Sequence, residues 1–130
     1  MSRGITNNNP GNIRKVPGVT WVGQSPDQTD TAFVQFVDPT YGIRAIARIL
    51  MSYSREGLNT VDQIINRWAP PNENQSTAYV SDVCGRCQVN PDAPIVVTSM
   101  LPQLISAIIF HENGSNPYTP QQIDSGISLA

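Results

Sequence analysis

The residue in this sequence best suited to acid chemistry is Glu112, which ends an apolar stretch of the chain. Leucine and isoleucine recur at three- and four-residue spacing from Leu101 to Ile109, the pattern of one buried helix face. The run from Asn113 to Pro117 follows at once, and its glycine and proline predict the end of the helix. The helix dipole and the apolar surroundings both disfavour a negative charge there. We therefore expect Glu112 to stay protonated and to serve as a general acid, with a merely solvated glutamate as the alternative.

Composition bounds the class of the protein. The sequence has 130 residues, of which 39% are hydrophobic and 14% charged, and this is typical of one globular domain with a polar surface. The formal net charge of −2 argues against a basic face that binds nucleic acid. No segment is long and apolar enough to span a membrane, and the N-terminus (MSRGITNNNPGN) lacks an apolar signal region. We expect a monomer that is made in the cytoplasm without a signal peptide.

The two cysteines do not indicate a metal or redox site. Cys84 and Cys87 form a single C-x-x-C, and one histidine without a second cysteine pair cannot complete the four ligands of zinc. Both cysteines are predicted to lie at the end of a helix, whereas a redox dithiol favours the opening of one. We expect structural cysteines without a disulfide bond, no metal and no cofactor.

The elements that position Glu112 are predicted to be helices. Residues 1–31 read as a loop built of stiff turn residues, with a disordered arm as the alternative. Residues 31–37 predict a short extended piece anchored by Phe33 and Phe36. Capping residues, apolar periodicity and breakers then predict five helices, which yields a mainly α single domain over residues 1–130 with little or no β-sheet. These helices begin at Asp38-Pro39, at Thr60, near Ser76, at Leu101 and at Thr119-Pro120.

Several short phrases together resemble glucosaminidase-type members of the lysozyme superfamily. The segment Asn9 to Arg14 (NPGNIR) stands where that family has "NLFGIK", and Trp21-Val22-Gly23 follows as its tryptophan–glycine piece. Phe33 to Phe36 precedes a helix, and Trp68 to Tyr79 resembles the family's tyrosine-bearing segment. The segment Ile109 to Pro117 resembles the lytic transglycosylase phrase "ESxFNP", although Asn113 replaces the family serine.

The glutamate helix stands at the back of this chain, whereas the family has it at the front. Circular permutation explains the difference, because domain termini often lie close together at the surface. The resemblance therefore implies a lysozyme-like helical fold with Glu112 close to Asn12. The phrases NNNPGNIR and HENG also resemble small proteins of tailed bacteriophages and prophages, which are often labelled virion or structural proteins.

The resemblance implies that Glu112 donates a proton to a β-1,4 glycosidic oxygen of peptidoglycan. A second carboxylate could then position water or act as a nucleophile. Otherwise the substrate's own groups complete the reaction, as in transglycosylases. Glu73 is the best second carboxylate because it lies in a polar loop between two predicted helices, with a solvated or capping glutamate as the alternative. Asp30 and Asp38 are weaker candidates, since Asp38 is predicted to cap a helix.

The same mechanism needs groups that bind sugar rings. Trp21 and Tyr79 would supply flat apolar faces, and the amides of Asn8 and Asn12 would supply hydrogen bonds. Trp68 is more typical of the core, because it shares a helix face with buried isoleucines. His111 precedes Glu112, but adjacent helix residues point about 100° apart, so no His–Glu pair is expected.

Peptidoglycan glycan strands are the expected partner, together with other phage virion proteins. The expected location is the virion, or the periplasm and cell wall after delivery. The alternative is a non-catalytic virion structural protein, or a glycan-binding protein that uses the same groove, and it predicts Glu112 without a groove or a groove filled by side chains. A protein–protein adaptor is a second alternative, and it predicts an exposed apolar patch.

Overall fold

The protein folds as a bundle of helices with very little extended structure. The computed structural model describes residues 1–71 and 75–130, and within them the mainly α prediction is confirmed. Two isolated antiparallel bridges, Arg14 with Phe33 and Gln24 with Phe36, are the extended pairings found in that part of the chain. The helices are α1 (Arg3–Thr6), α2 (Pro39–Arg55), α3 (Val61–Trp68), α4 (Ser76–Cys87), α5 (Leu101–Asn113) and α6 (Pro120–Ser128), with a 3₁₀ turn at Val97–Ser99.

The helices begin where capping residues predict. The side chain of Asp38 accepts a hydrogen bond from the Thr40 backbone N–H, 2.9 Å away, and a proline occupies the first position of α2. Thr60 caps α3 in the same way. Thr119 and Gln122 form a reciprocal capping box at the start of α6. Such local side-chain bonds satisfy backbone donors that a helix start leaves unpaired.

The core lies around α5, which packs against α1, α2, α4 and α6. Its buried face consists of Leu101, Leu104, Ile105, Ala107, Ile108 and Ile109, the residues whose spacing predicted a buried helix. Burial of each leucine or isoleucine side chain contributes about 1.5–3 kcal/mol to folding. Because α5 contacts four other helices, its last turn is held rigidly at the edge of the core.

The N-terminal segment is ordered, which corrects both the all-loop prediction and its disordered alternative. Residues Arg3–Thr6 form the short helix α1, and the asparagine-rich loop follows it. The side chain of Asn9 is fully buried. Its amide nitrogen donates to the carbonyls of Ile13 (2.9 Å) and Val34 (2.8 Å), and its oxygen accepts from the Ile13 N–H (3.0 Å). This satisfied buried amide ties the loop to the extended segment that precedes α2.

A second anchor of the N-terminal segment is Asp30. Its carboxylate accepts hydrogen bonds from the Arg3 guanidinium at 2.7 Å and from the Asn7 amide at 2.9 Å. It also accepts from the backbone N–H groups of Ala32 and Phe33. The bond from Arg3 and these further donors hold the pKa of Asp30 well below its usual range. Asp30 is therefore a structural carboxylate that ties α1 and its C-terminal end to the loop before α2.

The two cysteines lie on the last turns of α4, as predicted, and both are free thiols. Burial raises the pKa of Cys84, and it raises that of Cys87 to about 11. Both thiols therefore remain protonated near neutral pH, which suits packing residues rather than nucleophiles. No helix of the described segments has the length and apolar character needed to cross a membrane.

Candidate active site

The end of α5 carries Glu112 to the N-terminal segment. Gly114 stops the helix with a left-handed φ of 72°, a conformation that favours glycine. The side chain of Asn113 then joins the helix end to the start of the chain. Its amide nitrogen donates to the carbonyls of Pro10 and Ile109, each at 2.8 Å, and its oxygen accepts from the Ser2 hydroxyl at 2.7 Å. Asn113, which replaces the serine of the resembled family, thus fixes the position of its neighbour Glu112.

Each carboxylate oxygen of Glu112 has one hydrogen-bond donor. The amide nitrogen of Asn12 donates to Oε1 at 3.0 Å, and the hydroxyl of Tyr79 donates to Oε2 at 2.8 Å. The prediction that Glu112 lies close to the segment from Asn9 to Arg14 is confirmed. Because one donor comes from the N-terminal loop and the other from α4, the carboxyl group is oriented from two sides.

The orientation of the Asn12 amide provides a hydrogen bond to Glu112 but leaves the amide oxygen unpaired within the described part of the chain. Its Oδ1 atom is buried and has no hydrogen-bond partner among the residues described. An unpaired buried oxygen costs about 1–3 kcal/mol. The φ of Asn12 is 49°, a left-handed conformation that asparagine tolerates better than most residues. The loop is therefore shaped to present an amide donor to the carboxylate.

Tyr79 belongs to the site, but not in the predicted role. Its side chain is only 2% exposed, and its ring stacks on His111 with centroids 3.8 Å apart. Because the ring is buried, it offers no face to a sugar, and this corrects the predicted stacking role. Burial raises the pKa of Tyr79 well above its usual range, and the charge of Glu112 raises it further. The hydroxyl therefore remains a hydrogen-bond donor to Glu112.

Glu112 lines a groove of about 430 Å³ on the side of Asn12. Trp21, the predicted sugar-binding tryptophan, lines this groove together with Glu112. Trp68, predicted as core, is half-buried and also lines this groove, which we call the aromatic groove. Its lining consists of Gly11, Asn12, Ile13, Arg14, Val16, Val19, Trp21, Phe33, Ile49, Tyr53, Trp68, Ala69 and Glu112.

Glu112 also lines a smaller cavity of about 280 Å³, together with Gln75, Ala78, Tyr79 and His111. We call it the histidine cavity. Glu112 therefore contributes to the lining of both depressions.

His111 is held by a carboxylate other than Glu112. Its Nδ1 atom lies 2.7 Å from Oδ2 of Asp82, and the other oxygen of that carboxylate, Oδ1, accepts from Nε of Arg86 at 2.9 Å. Burial raises the pKa of Asp82, but the hydrogen bonds from His111 and Arg86 outweigh it, and the pKa lies below its ordinary value. Because the ionised carboxylate can only accept, the ring of His111 donates from Nδ1. The expectation that His111 and Glu112 form no pair agrees with this geometry.

Two other predicted residues are not brought to the groove. The amide nitrogen of Asn8 donates to the Phe36 carbonyl at 3.0 Å, and Asn8 lines neither cavity that contains Glu112. The amide nitrogen of Asn8 thus holds the loop, and its role in sugar binding stays a prediction. Glu73, the predicted second carboxylate, lies outside the described residues. Within residues 1–71 and 75–130, no cluster of three or more histidine, cysteine, aspartate or glutamate side chains could hold a metal ion.

Sequence reasoning missed several lining residues, among them Arg14, Tyr53 and Phe33. Each is typical of a surface or core position in its own segment, so the sequence alone does not mark it as a residue that lines a groove. A larger open depression of about 960 Å³ lies between α3 and α4, around Asp62 and Gly85, away from Glu112. Asp62 is the charged residue in its lining, so it offers little acid–base chemistry.

A phage protein is similar in sequence to nearly the whole of this chain. The chain is 41% identical over 128 residues to "Protein P5" of Pseudoalteromonas phage PM2, and the matched region covers 96% of this chain and 79% of that protein. This chain belongs to the Protein P5 family. No family model matches the chain. The predicted likeness to phage-encoded proteins is thus confirmed, whereas the lysozyme-like resemblance remains a prediction.

The geometry of this Protein P5 relative allows one kind of chemistry at Glu112. A carboxyl group that accepts two hydrogen bonds and lines a groove can exchange a proton with an atom of a bound ligand. The aromatic side chains of the groove provide apolar faces for such a ligand, and Asn12 and Tyr79 orient the carboxyl group.

Proposed function

We propose that this protein cleaves β-1,4 glycosidic bonds of peptidoglycan, with Glu112 as the general acid. One observation carries the proposal. Glu112 lines both the aromatic groove and the histidine cavity, and its carboxyl group accepts hydrogen bonds from Asn12 and Tyr79. A polymer of sugars needs room on both sides of the acid that cleaves it, and two depressions that share Glu112 support this role.

The two donors to Glu112 favour the departure of its proton during the reaction. As the glycosidic C–O bond breaks, the proton moves from Glu112 to the leaving oxygen, and the side chain becomes a carboxylate. Hydrogen bonds to a charged acceptor are roughly twice as strong as those to a neutral one. The bonds from Asn12 and Tyr79 therefore strengthen as the negative charge develops, which lowers the barrier.

The aromatic groove supplies the faces that sugar rings need. Trp21 and Trp68 both line it and are both partly buried, so each can present an indole face while its other side packs against the protein. Contact with such faces favours the apolar side of a sugar ring over water. Asn12 lies at the same wall, next to the acid.

The second step follows one of two routes. Glu73 could position water or act as a nucleophile, as two-carboxylate glycosidases do. Alternatively, a hydroxyl group of the substrate attacks the positive centre, as in transglycosylases. The products differ, since hydrolysis leaves a reducing sugar and internal attack leaves an anhydro sugar.

A non-catalytic virion or glycan-binding protein is the second candidate. The relationship to a phage protein and the aromatic walls of the groove both fit such a role. It would bind the same glycan and leave its bonds intact. In either role we propose that the protein is associated with the virion, or acts in the periplasm or cell wall after delivery.

The test compares the wild type with Glu112→Gln on purified peptidoglycan, with released sugars identified by mass spectrometry. Glutamine keeps the shape and accepts through its one amide oxygen, but it has no acidic proton to transfer, so cleavage should fall by about a hundredfold or more. Glu56→Gln is the matched control, because Glu56 is 52% exposed and pairs with Arg67 at the surface, 3.1 Å away. It should cleave like the wild type.

Two outcomes would overturn the enzyme proposal. Wild-type protein that binds peptidoglycan but releases no sugars would favour the binding role. A folded Glu112→Gln variant that cleaves at the wild-type rate would remove Glu112 from the mechanism. Glu73→Gln, tested alongside, decides the second step, because only the two-carboxylate route requires that residue.

A further inference from the structure

Among the residues that the structure describes, the lining of the aromatic groove contains one cation. That cation is Arg14, Glu112 is the carboxylic acid, and the rest are apolar, aromatic or amide side chains. A groove that bound only neutral sugars would need no cation. The position of Arg14 therefore bears on which glycans the groove accepts.

The backbone around Arg14 is fixed. Arg14 forms an antiparallel bridge with Phe33, and the flanking bonds run from Val34 N–H to the Ile13 carbonyl (3.0 Å) and from Lys15 N–H to the Ala32 carbonyl (2.8 Å). The guanidinium lies 5.0 Å from the centre of the Phe33 ring, within range of a cation–π contact. The backbone of Arg14 is thus fixed at the wall of the groove, and its exposed side chain lies against the Phe33 ring.

The charge of Arg14 is available to a ligand. Three other arginines pair with carboxylates within 4.0 Å, namely Arg3 with Asp30, Arg67 with Glu56 and Arg86 with Asp82. No such partner of Arg14 occurs within residues 1–71 and 75–130. The neighbouring Arg3 shares the Phe33 ring with it, 4.5 Å from the centre, but is neutralised by Asp30.

We propose that Arg14 binds a carboxylate carried by the substrate, and that it selects acidic glycans over neutral ones. This rests on the proposed function, and it names the substrate class of that same groove. A guanidinium presents its donors in a planar fork that matches a carboxylate bidentately. Peptidoglycan carries such groups on every second sugar, either as the lactyl carboxylate or on the attached peptide, whereas chitin carries none.

We also infer where the acidic and the neutral sugar bind. The acidic sugar occupies the aromatic groove, on the Arg14 side of Glu112. The neutral amino sugar that follows it reaches the histidine cavity. Cleavage then falls on the bond between an acidic sugar in one depression and a neutral sugar in the other.

The test measures binding, so that it does not depend on cleavage. Glu112→Gln protein is titrated by calorimetry with three tetrasaccharides of equal length. One is chitotetraose, one is the denuded peptidoglycan tetrasaccharide with free lactyl carboxylates, and one carries peptides on those lactyl groups. The same titrations are made with Arg14→Gln, Arg14→Lys and the control Arg55→Gln in that background. Arg55 is exposed at the end of α2 and lines neither cavity that contains Glu112.

The expected result is about tenfold tighter binding of an acidic tetrasaccharide than of chitotetraose, the size of one charge-assisted hydrogen-bonded pair. Arg14→Gln should remove that preference and leave chitotetraose binding unchanged, Arg14→Lys should keep part of it, and Arg55→Gln should keep all of it. The tighter acidic ligand identifies the lactyl or the peptide carboxylate as the group bound.

Equal affinities of the parent protein for acidic and neutral tetrasaccharides would overturn the inference, as would the absence of any binding. An Arg14→Gln variant that weakens all three ligands equally would do the same, because Arg14 would then act on the shape of the groove. A wild-type protein that fails to cleave peptidoglycan but shows the Arg14-dependent preference would overturn only the proposed enzyme activity.

Discussion

The hydroxyl of Tyr79 donates a 2.8 Å hydrogen bond to Oε2 of Glu112, and this bond joins α4 to the last turn of α5. The ring that carries the hydroxyl is itself held by stacking on His111. His111 in turn is fixed by Asp82 on α4. The orientation of Glu112 therefore depends on contacts that run from Tyr79 on α4 to His111 on α5 and back to Asp82 on α4.

Tyr79→Phe should lower activity more than stability. Phenylalanine keeps the buried ring and the stack on His111 but removes the donor to Glu112. Loss of one hydrogen bond to a charged group corresponds to about a tenfold fall in the rate constant of cleavage, with substrate affinity unchanged. The free energy of unfolding should fall by about 1 kcal/mol.

The measurement for Tyr79→Phe is the rate of sugar release from peptidoglycan at several substrate concentrations, with urea unfolding of the same samples. Tyr118→Phe is the control, because Tyr118 is partly buried but lines neither cavity that contains Glu112. Full activity of Tyr79→Phe would show that the hydroxyl does not orient the acid.

Gly4→Ala should disturb the site from outside the groove. A Cβ atom at Gly4 would lie 2.5 Å from Oδ1 of Asn113, 2.8 Å from Oδ1 of Asn12 and 2.9 Å from the Asn9 carbonyl. These amides must shift, so we expect a loss of about 1–3 kcal/mol in stability and a fall in activity as Asn12 leaves Glu112.

Gly85→Ala is the matched glycine substitution, since a Cβ atom there meets nothing within 4 Å on α4. It should stabilise the protein by about 0.5–1 kcal/mol, because alanine favours a helix interior. Urea unfolding measures both variants. Equal stability of Gly4→Ala and the wild type would contradict the tight packing of α1 against the amides.

Asp30 should make the protein sensitive to acid. Its pKa is depressed in the folded state, chiefly by Arg3, below the ordinary value of 3.8 that the unfolded chain has. A depressed pKa contributes stability above the unfolded value, and that contribution is lost as the pH falls from about 4 toward the folded value. Asp30→Asn should therefore be less stable than the wild type at pH 7, and its stability should fall less steeply below about pH 4.

Urea unfolding between pH 2 and pH 7 tests this expectation. Asp124→Asn is the control, because Asp124 is exposed on α6. The two stability curves of wild type and Asp30→Asn should converge at low pH. Curves that stay parallel over the whole range would assign the acid sensitivity to other carboxylates.

The helices could be predicted from sequence because their signals are local. The Asp38 cap, the Thr119 capping box and the spacing of isoleucines in α5 all act within a few residues. The N-terminal segment could not be predicted in this way. The amide of Asn9 is satisfied by the Val34 carbonyl, 25 residues away, and no local pattern reports such a partner.

The site could be predicted only in part, because the role of some of its side chains depends on their tertiary contacts. Glu112 is recognisable because a carboxylate at the end of an apolar helix is unusual, and Asn12 followed from the family resemblance. The predicted role of Tyr79 was wrong because a tyrosine can act through its aromatic face or through its hydroxyl group, and the sequence does not tell which. Only its burial beside Glu112 decides which of the two the site uses.

The contact between Asn12 and Glu112 spans 100 residues of sequence, and that between Ser2 and Asn113 spans 111. We expect contacts of such long range to form late in folding, because closing a long loop costs conformational entropy before the contact stabilises the chain. During translation, the groove walls of the N-terminal loop and α3 are made long before the acid leaves the ribosome. A nascent or truncated chain without α5 would thus have the amide of Asn12 but no carboxyl group to hold. The carboxyl group of Glu112 can therefore meet the amide of Asn12 only after α5 has been synthesised.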